Sequence, residues 1–558
     1  MKKIKKIFRA LSKKERRIIY VALFLIAVNS IYLGVFHYFK NTEKVPAYEG
    51  EYVEGMVGQP RFINPILCQT SDIDSDLSAL VYSGLLKLNQ KGELVNDLAE
   101  SYEISDDKLT YTFHIKKDII WHDGEKLSAD DIVFTIKTIQ NDDFYSPLRA
   151  NWKGVRIEKD GEYTVKFILR NTYSPFLNNL TVGILPKHLW ESFGANNFHQ
   201  AECNLMPKGT GPYKLEQFVK DKDGKISSIE LLANKDYYSK PPFIQKITFK
   251  FFENEDEAIA AFNRKEIKGI SYLSPENKKM IADLESANIY RLSIPRYFAV
   301  FFNQTKSKAL SDRTVRLALA YAVDKNKLIE NVLYNEGSVI ETPIPPGILG
   351  YNPNTKIYDY APEHARNILE AAGWIDSDGD GIREKDENKI EFTLVSTEWP
   401  ELSKTAILLQ EMWKEIGADV KVENVQISEL ENDYIKPREY EALLFGEILN
   451  YDPDPFAFWH SSQKKESGLN LSLYDNTEVD KLLEEARQET DQNAREEKYI
   501  KFQEIIIEDV PAIFLYSPNY LYIHNKLIQG VELNNIVIPS NRFNGIEKWY
   551  VKTKRVWK

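Results

Sequence analysis

The stretch that decides the fold is LVNDLAESYEISDDKLTYTFHIKKDIIWHDGEKLSADDIVFTI, residues 94–136. Apolar and polar residues alternate from Leu109, which predicts one arm of a β-hairpin ending at the Asp123–Gly124 turn. Ser128 then precedes a run with acidic residues in its first turn, and this pattern predicts a helix over 128–139. A strand, a turn and a helix in this order indicate a mixed α/β body.

The same mixture continues along the chain. Helices are predicted over 312–323, 403–417 and 476–510, and strands over 418–425 and 511–518, the last of them buried. At 558 residues the chain is long enough for two or three packed units. The sequence therefore predicts an α/β body with more than one lobe.

Composition and charge narrow the choice of partners. With 43% hydrophobic and 28% charged residues, the chain has the composition of a globular protein. Residues 1–40 hold ten Lys/Arg and one Glu, which leaves 62 basic and 82 acidic residues and a net charge of about −20 beyond them. An acidic body argues against nucleic acid as a partner. Cys68 and Cys203 define no disulfide framework, and whether they pair is left open.

The N-terminus has the pattern of a membrane anchor. Residues 1–17 are basic, and 18–39 contain no formal charge, so a helix of this length spans the roughly 30 Å of a hydrocarbon core. A cleaved signal peptide has an apolar region of about 7–15 residues and ends in small residues, whereas this segment ends in aromatics. We expect an uncleaved anchor with a cytoplasmic N-terminus and an exported body. A cleaved signal and a buried core helix are the alternatives.

Catalytic motifs are absent from the sequence. It contains no G-x-S-x-G, H-E-x-x-H, phosphate-binding loop or G-x-G-x-x-G, and no two of the eight histidines are spaced i, i+4. WHDG (121–124) is better explained by turn chemistry than by catalysis. In WHSS (459–462) a His is next to a Ser, but neighbours in sequence rarely face each other and no orienting acid is identifiable. A glycosidase needs only two carboxylates, so an extracellular hydrolase stays an alternative. We predict that the protein is not an enzyme.

Four blocks in a fixed order carry a family resemblance. After residues 94–136 come KGTGPYKLEQF (208–218), FFNQTKSKALSDRTVRLALAYAVDKNKLIENVL (301–333) and ETPIPP (341–346). Together they resemble the family 5 extracellular solute-binding proteins, the oligopeptide-, dipeptide- and nickel-binding components of ABC importers. The resemblance extends over nearly all of 50–535.

The resemblance implies a type 2 periplasmic-binding-protein fold, with two lobes joined by a hinge and an extra subdomain on the first lobe. It also implies binding without catalysis. The expected boundaries are a basic cytoplasmic segment (1–17), a transmembrane anchor (18–39), a linker and the start of lobe I (40–75), the extra subdomain of lobe I (76–204), lobe I (205–302), lobe II (303–524) and a return to lobe I (525–558).

The segment 445–462 departs from the pattern of the family's peptide binders. Those proteins place an Asp against the ligand's ammonium in a Trp-x-x-Asp segment upstream of an Asp-Pro. Here Glu447 falls where the Trp would be and Asn450 where the Asp would be, and an amide cannot supply the negative charge. Asp452, Asp454 or Glu447 could replace it; alternatively, Asp-Pro-Asp-Pro only builds a rigid turn.

The expected ligand is a short peptide held in the cleft between the lobes. A non-peptide solute or nickel is the alternative ligand, and no arginine that would bind a ligand carboxylate is identified. The candidate ligand-binding residues are Asn303, Trp399, Glu447, Asn450, Tyr451, Asp452, Asp454 and Trp459.

A second motif, WIDSDGDGIREKDE (374–387), has the spacing of an EF-hand calcium loop. A helix precedes it and a strand follows it, so the loop is unpaired and cannot open a helix pair as calcium sensors do. We expect a surface loop that holds structural Ca²⁺, with a solvated acidic turn as the alternative. The candidate metal ligands are Asp376, Asp378, Asp380, Ile382 and Glu387.

These features combine into one expected function. The protein is predicted to be a monomeric, single-pass membrane protein whose extracellular or periplasmic body captures peptides and delivers them to an ABC permease. Apart from the possible Ca²⁺, no cofactor is expected. A calcium-dependent adhesion protein is a further alternative from a different class.

Overall fold

The computed structural model describes residues 12–450, 452–465, 468–533 and 536–558. Two large mixed sheets form the centres of two lobes. The lobe I sheet has seven strands, in the order Ala287–Leu292, Tyr520–Asn525, Gly269–Ile270, Glu51–Val57, Lys246–Phe252, Ile226–Ala233 and Tyr213–Lys220. The lobe II sheet has six strands, in the order Gly337–Val339, Ala512–Pro518, Arg296–Phe302, Ala442–Ile448, Glu391–Thr397 and Asp419–Val425.

The chain crosses between the two sheets twice. Residues 293–295 connect the edge strand of lobe I to strand Arg296–Phe302, and Asn519 alone separates the strands of 512–518 and 520–525. Two short, neighbouring crossings permit hinge motion, because a few residues can absorb the change in backbone angles. Both crossings come earlier in the chain than the predicted boundaries at 303 and 525. The strands on either side of each crossing pair with sheets of different lobes, so the chain changes lobe at the crossings.

The extra subdomain has its own antiparallel sheet, in the order Ala99–Ile104, Thr110–Ile115, Thr164–Ile168 and Arg156–Lys159. Helix Ala129–Gln140 packs on it and begins at the predicted N-cap, where Ser128 and Asp131 form a capping box. Its buried side chains belong to the same hydrophobic core as those of lobe I, whereas lobe II has a separate core. The subdomain is therefore fixed to lobe I.

Most of the predicted elements occur where the sequence places them. The helix predicted over 403–417 spans Pro400–Lys414, the strand predicted over 511–518 spans Ala512–Pro518 with every residue buried, and 476–510 forms two helices. The principal helices of the body are Asp72–Val81, Ala129–Gln140, Glu255–Asn263, Arg313–Tyr321, Lys325–Asn331, Pro362–Ala371, Pro400–Lys414, Thr477–Gln488 and Gln492–Asp509.

Short elements connect these. The short helices are Phe176–Asn179, Lys187–Trp190, Ala195–Phe198, Lys308–Ser311, Ile427–Glu429 and Phe456–Trp459. The two-stranded pairings are Leu86–Leu88 with Leu94–Asn96, Glu384–Lys385 with Asn388–Lys389, and Thr42–Pro46 with Thr553–Trp557. Cys68 and Cys203 are both free thiols.

The N-terminal helix stands apart from the packed body. Lys13–Asn41 is 29 residues long, none of it is buried, and its length and apolar composition are sufficient to cross a membrane. Its start is capped by Ser12 and Glu15 in a capping box. The basic residues before position 12 lie outside the described residues.

Candidate ligand-binding cleft between the lobes

Arg296 is the first residue of the lobe II strand that follows the crossing at 293–295. Its charge interacts with Tyr272 and Tyr520 of lobe I and with Glu401 of lobe II, so it lies where the lobes face each other. Burial lowers the pKa of its guanidinium, and its buried Nε has no hydrogen-bond partner among the described residues. A half-buried, unpaired guanidinium is suited to bind a carboxylate.

Asp72 supplies a negative charge from the opposite lobe. It lies in the first turn of helix Asp72–Val81, where the helix dipole favours an acidic group. Its side chain is exposed, and desolvation by the surrounding protein raises the pKa of its carboxyl group against the opposing effect of Arg542 and Arg296. Asp72 and Arg296 thus bring opposite charges to the two sides of the cleft.

Glu447 lies on strand Ala442–Ile448, directly opposite Tyr297 in the sheet. It is 3% exposed; one carboxylate oxygen accepts a hydrogen bond from the Tyr297 hydroxyl, and the other, Oε1, has no partner among the described residues. Burial raises its pKa to about 8, although the Tyr297 hydrogen bond lowers it. A carboxyl group with no cation beside it is able to accept an ammonium.

The two aspartates of the Asp-Pro-Asp-Pro turn are already neutralised. Arg487 donates to both oxygens of Asp454, with Nη2 at 2.6 Å and Nε at 2.8 and 3.0 Å, and the Tyr173 hydroxyl donates at 3.2 Å. Asp452 lies 3.0 Å from the Arg495 guanidinium. Each charge has a cation of lobe II as its partner, so Glu447 is better placed than either to accept a ligand's ammonium.

The remaining predicted site residues are dispersed. Trp399 is 49% exposed at the start of helix Pro400–Lys414, and Asn450 is exposed. Asn303 is fully buried, and its side chain donates to the Arg438 carbonyl and accepts from the Thr305 amide. Trp459 is packed in the lobe II core among aromatic rings. Tyr451 lies outside the described residues.

The extra subdomain also contacts lobe II around a cavity of about 770 Å³. Tyr173 and Asp454 both line it and are hydrogen-bonded to each other, and the Ser174 amide donates to the Arg487 carbonyl at 3.0 Å. The Arg487 guanidinium stacks 3.8 Å from the Phe456 ring. The contacts of Tyr173 and Ser174 link the extra subdomain to lobe II.

Sequence reasoning missed Arg296 and Asp72. The one available signal was position, since Arg296 directly follows the crossing at 293–295 and Asp72 begins a helix after the N-cap Ser71. Neither residue belongs to a recognisable sequence motif, and the two come close only because the lobes meet in the folded chain.

The acidic loop forms a different group from the predicted one. Ligand oxygens of Asp376, Asp378 and Glu384 all lie within 4.8 Å of one another. The Lys389 ammonium pairs with Asp378 and also with Asp380, which is not part of this group. Glu387 lies in the turn between the two short strands, with a φ of 66°. The loop is an exposed acidic cluster that Lys389 partly neutralises.

Comparison with known proteins agrees with this architecture. A model of bacterial extracellular solute-binding proteins, family 5 Middle, matches residues 93–468. The oligopeptide-binding protein AppA of Bacillus subtilis (strain 168) is 31% identical over 528 residues, covering 92% of this chain and 93% of that protein. The nickel-binding periplasmic protein of Escherichia coli (strain K12) is 27% identical over 472 residues, covering 82% and 86%.

Solved structures share the fold. AppA of Bacillus subtilis in complex with a nonapeptide matches with a TM-score of 0.74 and 30% identity, over 91% of this chain and 100% of that one. NikZ of Campylobacter jejuni in complex with Ni(L-His) matches with a TM-score of 0.74 and 28% identity, over 91% and 100%. These matches confirm the predicted periplasmic-binding-protein fold, and the chain belongs to the bacterial extracellular solute-binding proteins, family 5.

Proposed function

We propose that the protein is the membrane-anchored, extracellular substrate-binding component of an ABC importer, which captures short peptides between its lobes and delivers them to a permease. The observation that carries the proposal is a set of groups near the crossings with no ion-pair partner among the described residues: the guanidinium of Arg296 and the carboxyl groups of Glu447 and Asp72. A peptide in solution is a zwitterion, and each buried end needs an opposite charge. The peptide-binding relatives support the same ligand class.

Arg296 binds the peptide carboxylate in this proposal, and Glu447 or Asp72 accepts the ammonium. Main-chain hydrogen bonds supply affinity that does not depend on side-chain identity. Closure follows because a ligand that contacts both lobes binds the closed form better than the open one. Trp399, exposed at the start of its helix, adds an apolar surface for a peptide side chain.

Mass spectrometry of the solute that co-purifies with the protein tests the ligand class. Calorimetry then compares trialanine with the same peptide acetylated at its N-terminus or amidated at its C-terminus, and with Ni²⁺ alone. We expect trialanine to bind and each blocked peptide to bind more weakly. Binding of Ni²⁺ without any peptide binding would favour the nickel alternative and overturn the proposal.

The anchor is the helix Lys13–Asn41. Support comes from its fully exposed apolar surface, which water solvates poorly, and from the basic residues before it. With the basic end in the cytoplasm, the body lies outside the cell. Carbonate washing of membranes tests this proposal, because an integral anchor stays with the membrane and a cleaved form appears in the soluble fraction.

We extend the proposal to Ca²⁺ in the loop 376–387. Three convergent carboxylates at Asp376, Asp378 and Glu384 support it, since Ca²⁺ prefers several oxygen ligands. Ca²⁺ must displace Lys389 from Asp378 and Asp380. Thermal unfolding with CaCl₂ and with EDTA tests the site: stabilisation by Ca²⁺ is expected in the native chain and not in Asp376→Asn, with exposed Asp386→Asn as the control. Equal unfolding in both conditions would refute it.

No catalytic role is part of the proposal. The family and the matched relatives bind solutes, and the two aspartates that neighbour the cleft are held by arginines. Unchanged peptide recovered after prolonged incubation with the protein is the expected result. Hydrolysed peptide, with hydrolysis lost in Glu447→Gln, would favour the hydrolase alternative.

A further inference from the structure

The N-terminal helix continues into the body without a linker. Strand Thr42–Pro46 begins at the residue after helix Lys13–Asn41 and pairs antiparallel with Thr553–Trp557 over all five residues of each strand. We call this pair the juxtamembrane ribbon. Because both strands are hydrogen-bonded, the connection is stiffer than the flexible coil that usually follows an anchor.

Arg555 fastens the ribbon to the last turn of the helix. Its Nε donates to Thr42 Oγ1 at 2.8 Å, and its Nη2 donates to the carbonyls of Thr42 and Phe39 at 3.0 and 3.1 Å. Its guanidinium also lies 4.5 Å from the Phe39 ring centroid. The last carbonyls of a helix have no partner within the helix and attract cations, so Arg555 satisfies groups that would otherwise be open.

Trp557 lies at the same level as the end of the helix. It pairs with Thr42 in the ribbon, and its ring packs edge-on against Tyr38 at 5.9 Å and near His37 at 6.2 Å. Even so, 64% of its side chain is exposed. A large exposed indole beside two aromatic residues at the end of an apolar helix matches the aromatic belt at a membrane–water interface.

The length of the apolar segment sets the depth of Trp557. Residues 18–39 span about 33 Å as a helix, close to the roughly 30 Å of a hydrocarbon core. Phe39 therefore lies at the outer boundary of the hydrocarbon, and Trp557, beside Tyr38, lies within the interfacial layer.

The charge of the ribbon also suits a lipid surface. Residues 40–46 and 552–558 carry six Lys/Arg and one Glu, although the exported body as a whole is acidic. Lys554 and Lys558 are exposed, and neither forms an ion pair with a described residue. Cations placed at the headgroup level are attracted to anionic lipids.

We propose that the juxtamembrane ribbon is a membrane-contacting surface whose partner is the interfacial layer of an anionic phospholipid bilayer, with Trp557 inserted at the level of the ester groups. The inference rests on the proposed anchor. Its consequence is geometric: strand Glu51–Val57 of the lobe I sheet starts only a few residues after the ribbon, so lobe I is held next to the membrane and lobe II is left free to move.

Fluorescence quenching tests the inference on the full chain in vesicles of phosphatidylethanolamine and phosphatidylglycerol, with bromine on the acyl chains near the headgroup. Bromine quenches only a tryptophan at that depth. We expect partial quenching of the native protein, loss of that quenching in Trp557→Phe, and no change in Trp399→Phe, which removes an exposed tryptophan of lobe II.

Flotation of the same vesicles separates the two proposals. Protein that floats with the vesicles but shows no quenching would overturn the ribbon contact and leave the anchor intact. Quenching retained in Trp557→Phe would also overturn it, since the contact would then involve another part of the body. Protein that does not float would refute the anchor and, with it, the ribbon contact.

Discussion

Each lobe buries a glutamate on a strand of its central sheet, and the two glutamates have opposite surroundings. Glu54 of lobe I is fully buried and accepts hydrogen bonds from Arg542 at 2.6 Å, Tyr52 at 2.6 Å and Tyr522 at 3.0 Å. Arg542 also binds both oxygens of Asp76 at 2.6 Å. Lobe I therefore compensates its buried charge without any ligand.

Glu447 of lobe II lacks such compensation. Its one hydrogen-bond partner among the described residues is the Tyr297 hydroxyl, and with a pKa of about 8 it is mostly protonated at neutral pH. A protein that needs only stability has no reason to bury an unsatisfied carboxyl group, because each such group costs free energy. The difference indicates that the Arg542 cluster is structural, whereas Glu447 keeps one carboxylate oxygen without a partner among the described residues.

Removing the cation of the lobe I cluster should have the largest effect. Arg542→Met leaves Glu54 and Asp76 buried without a positive charge, and breaking a buried pair in this way costs about 3–5 kcal/mol. Thermal and urea unfolding of the full chain in detergent measure the loss. The control is Arg264→Met, which breaks the exposed pair with Glu266 and should leave the midpoint unchanged. Equal midpoints for both variants would show that the cluster is not structural.

A smaller effect, visible in the pH dependence, is expected at Glu447. Its pKa is about 8 when folded and 4.5 ordinarily. Between these values the folded protein binds a proton that the unfolded chain has lost, so the free energy of unfolding falls as pH rises from about 4.5 to 8. Glu447→Gln removes this fall. Between pH 5 and pH 8 the free energy of unfolding of the variant should therefore rise by about 2–4 kcal/mol relative to that of the native protein.

The control for Glu447 is Tyr297→Phe. The Tyr297 hydrogen bond lowers the pKa of Glu447, so its loss should raise the folded pKa and extend the fall in the free energy of unfolding to higher pH. If the native protein and Glu447→Gln gave parallel stability curves across this range, Glu447 would not be a buried, protonated carboxyl group, and the contrast with Glu54 would disappear.

The contrast between the lobes could not be read from the sequence. Local signals predicted local structure well: Ser128 and Asp131 form the expected helix cap, and 511–518 forms a buried strand. Two of the partners of Glu54, however, Arg542 and Tyr522, are separated from it by hundreds of positions, since both return from the C-terminal part of the chain. Only the folded chain decides which carboxylate meets an arginine.

The dependence on tertiary contacts also explains why the site residues were harder to predict than the helices and strands. Asp454 was a reasonable candidate for the ligand's ammonium by spacing, but Arg487, on a helix of the stretch predicted over 476–510, neutralises it. Arg296 was missed because a lone arginine has no distinguishing pattern in the sequence. Charge compensation is a property of tertiary contacts, which residue spacing along one chain does not encode.

The next prediction concerns peptide binding by Arg296. Arg296→Gln should weaken peptide affinity by about 10–100-fold, since hydrogen bonds to charged groups contribute about 1.5–3 kcal/mol. Calorimetry with free and C-terminally amidated peptide makes the test specific. Amidation should weaken binding to the native protein and have little further effect in the variant. An unchanged affinity in Arg296→Gln would assign the carboxylate to another residue.

The smallest effect is expected where the lobes share a charge. Glu336, just before the lobe II strand Gly337–Val339, is bound by Lys278 at 2.6 Å and Arg291 at 2.8 Å, both from lobe I, and its carbonyl accepts from the Asn519 amide at the crossing. Burial raises the pKa of Glu336, but the bonds from Arg291 and Lys278 outweigh it and hold the pKa below its usual range.

This bridge contributes above the ordinary glutamate pKa and is lost as pH falls through the lowered value. Because Lys278 and Arg291 are partly exposed, solvent screens the pairs, and Glu336→Gln should cost only about 1 kcal/mol. The variant should favour the open arrangement, seen as a larger radius of gyration in X-ray scattering without ligand, and high salt should produce the same change in the native protein. If neither the substitution nor salt altered the radius of gyration, the Glu336 bridge would be a rigid structural contact like the Arg542 cluster. Hinge motion would then have to occur at other residues.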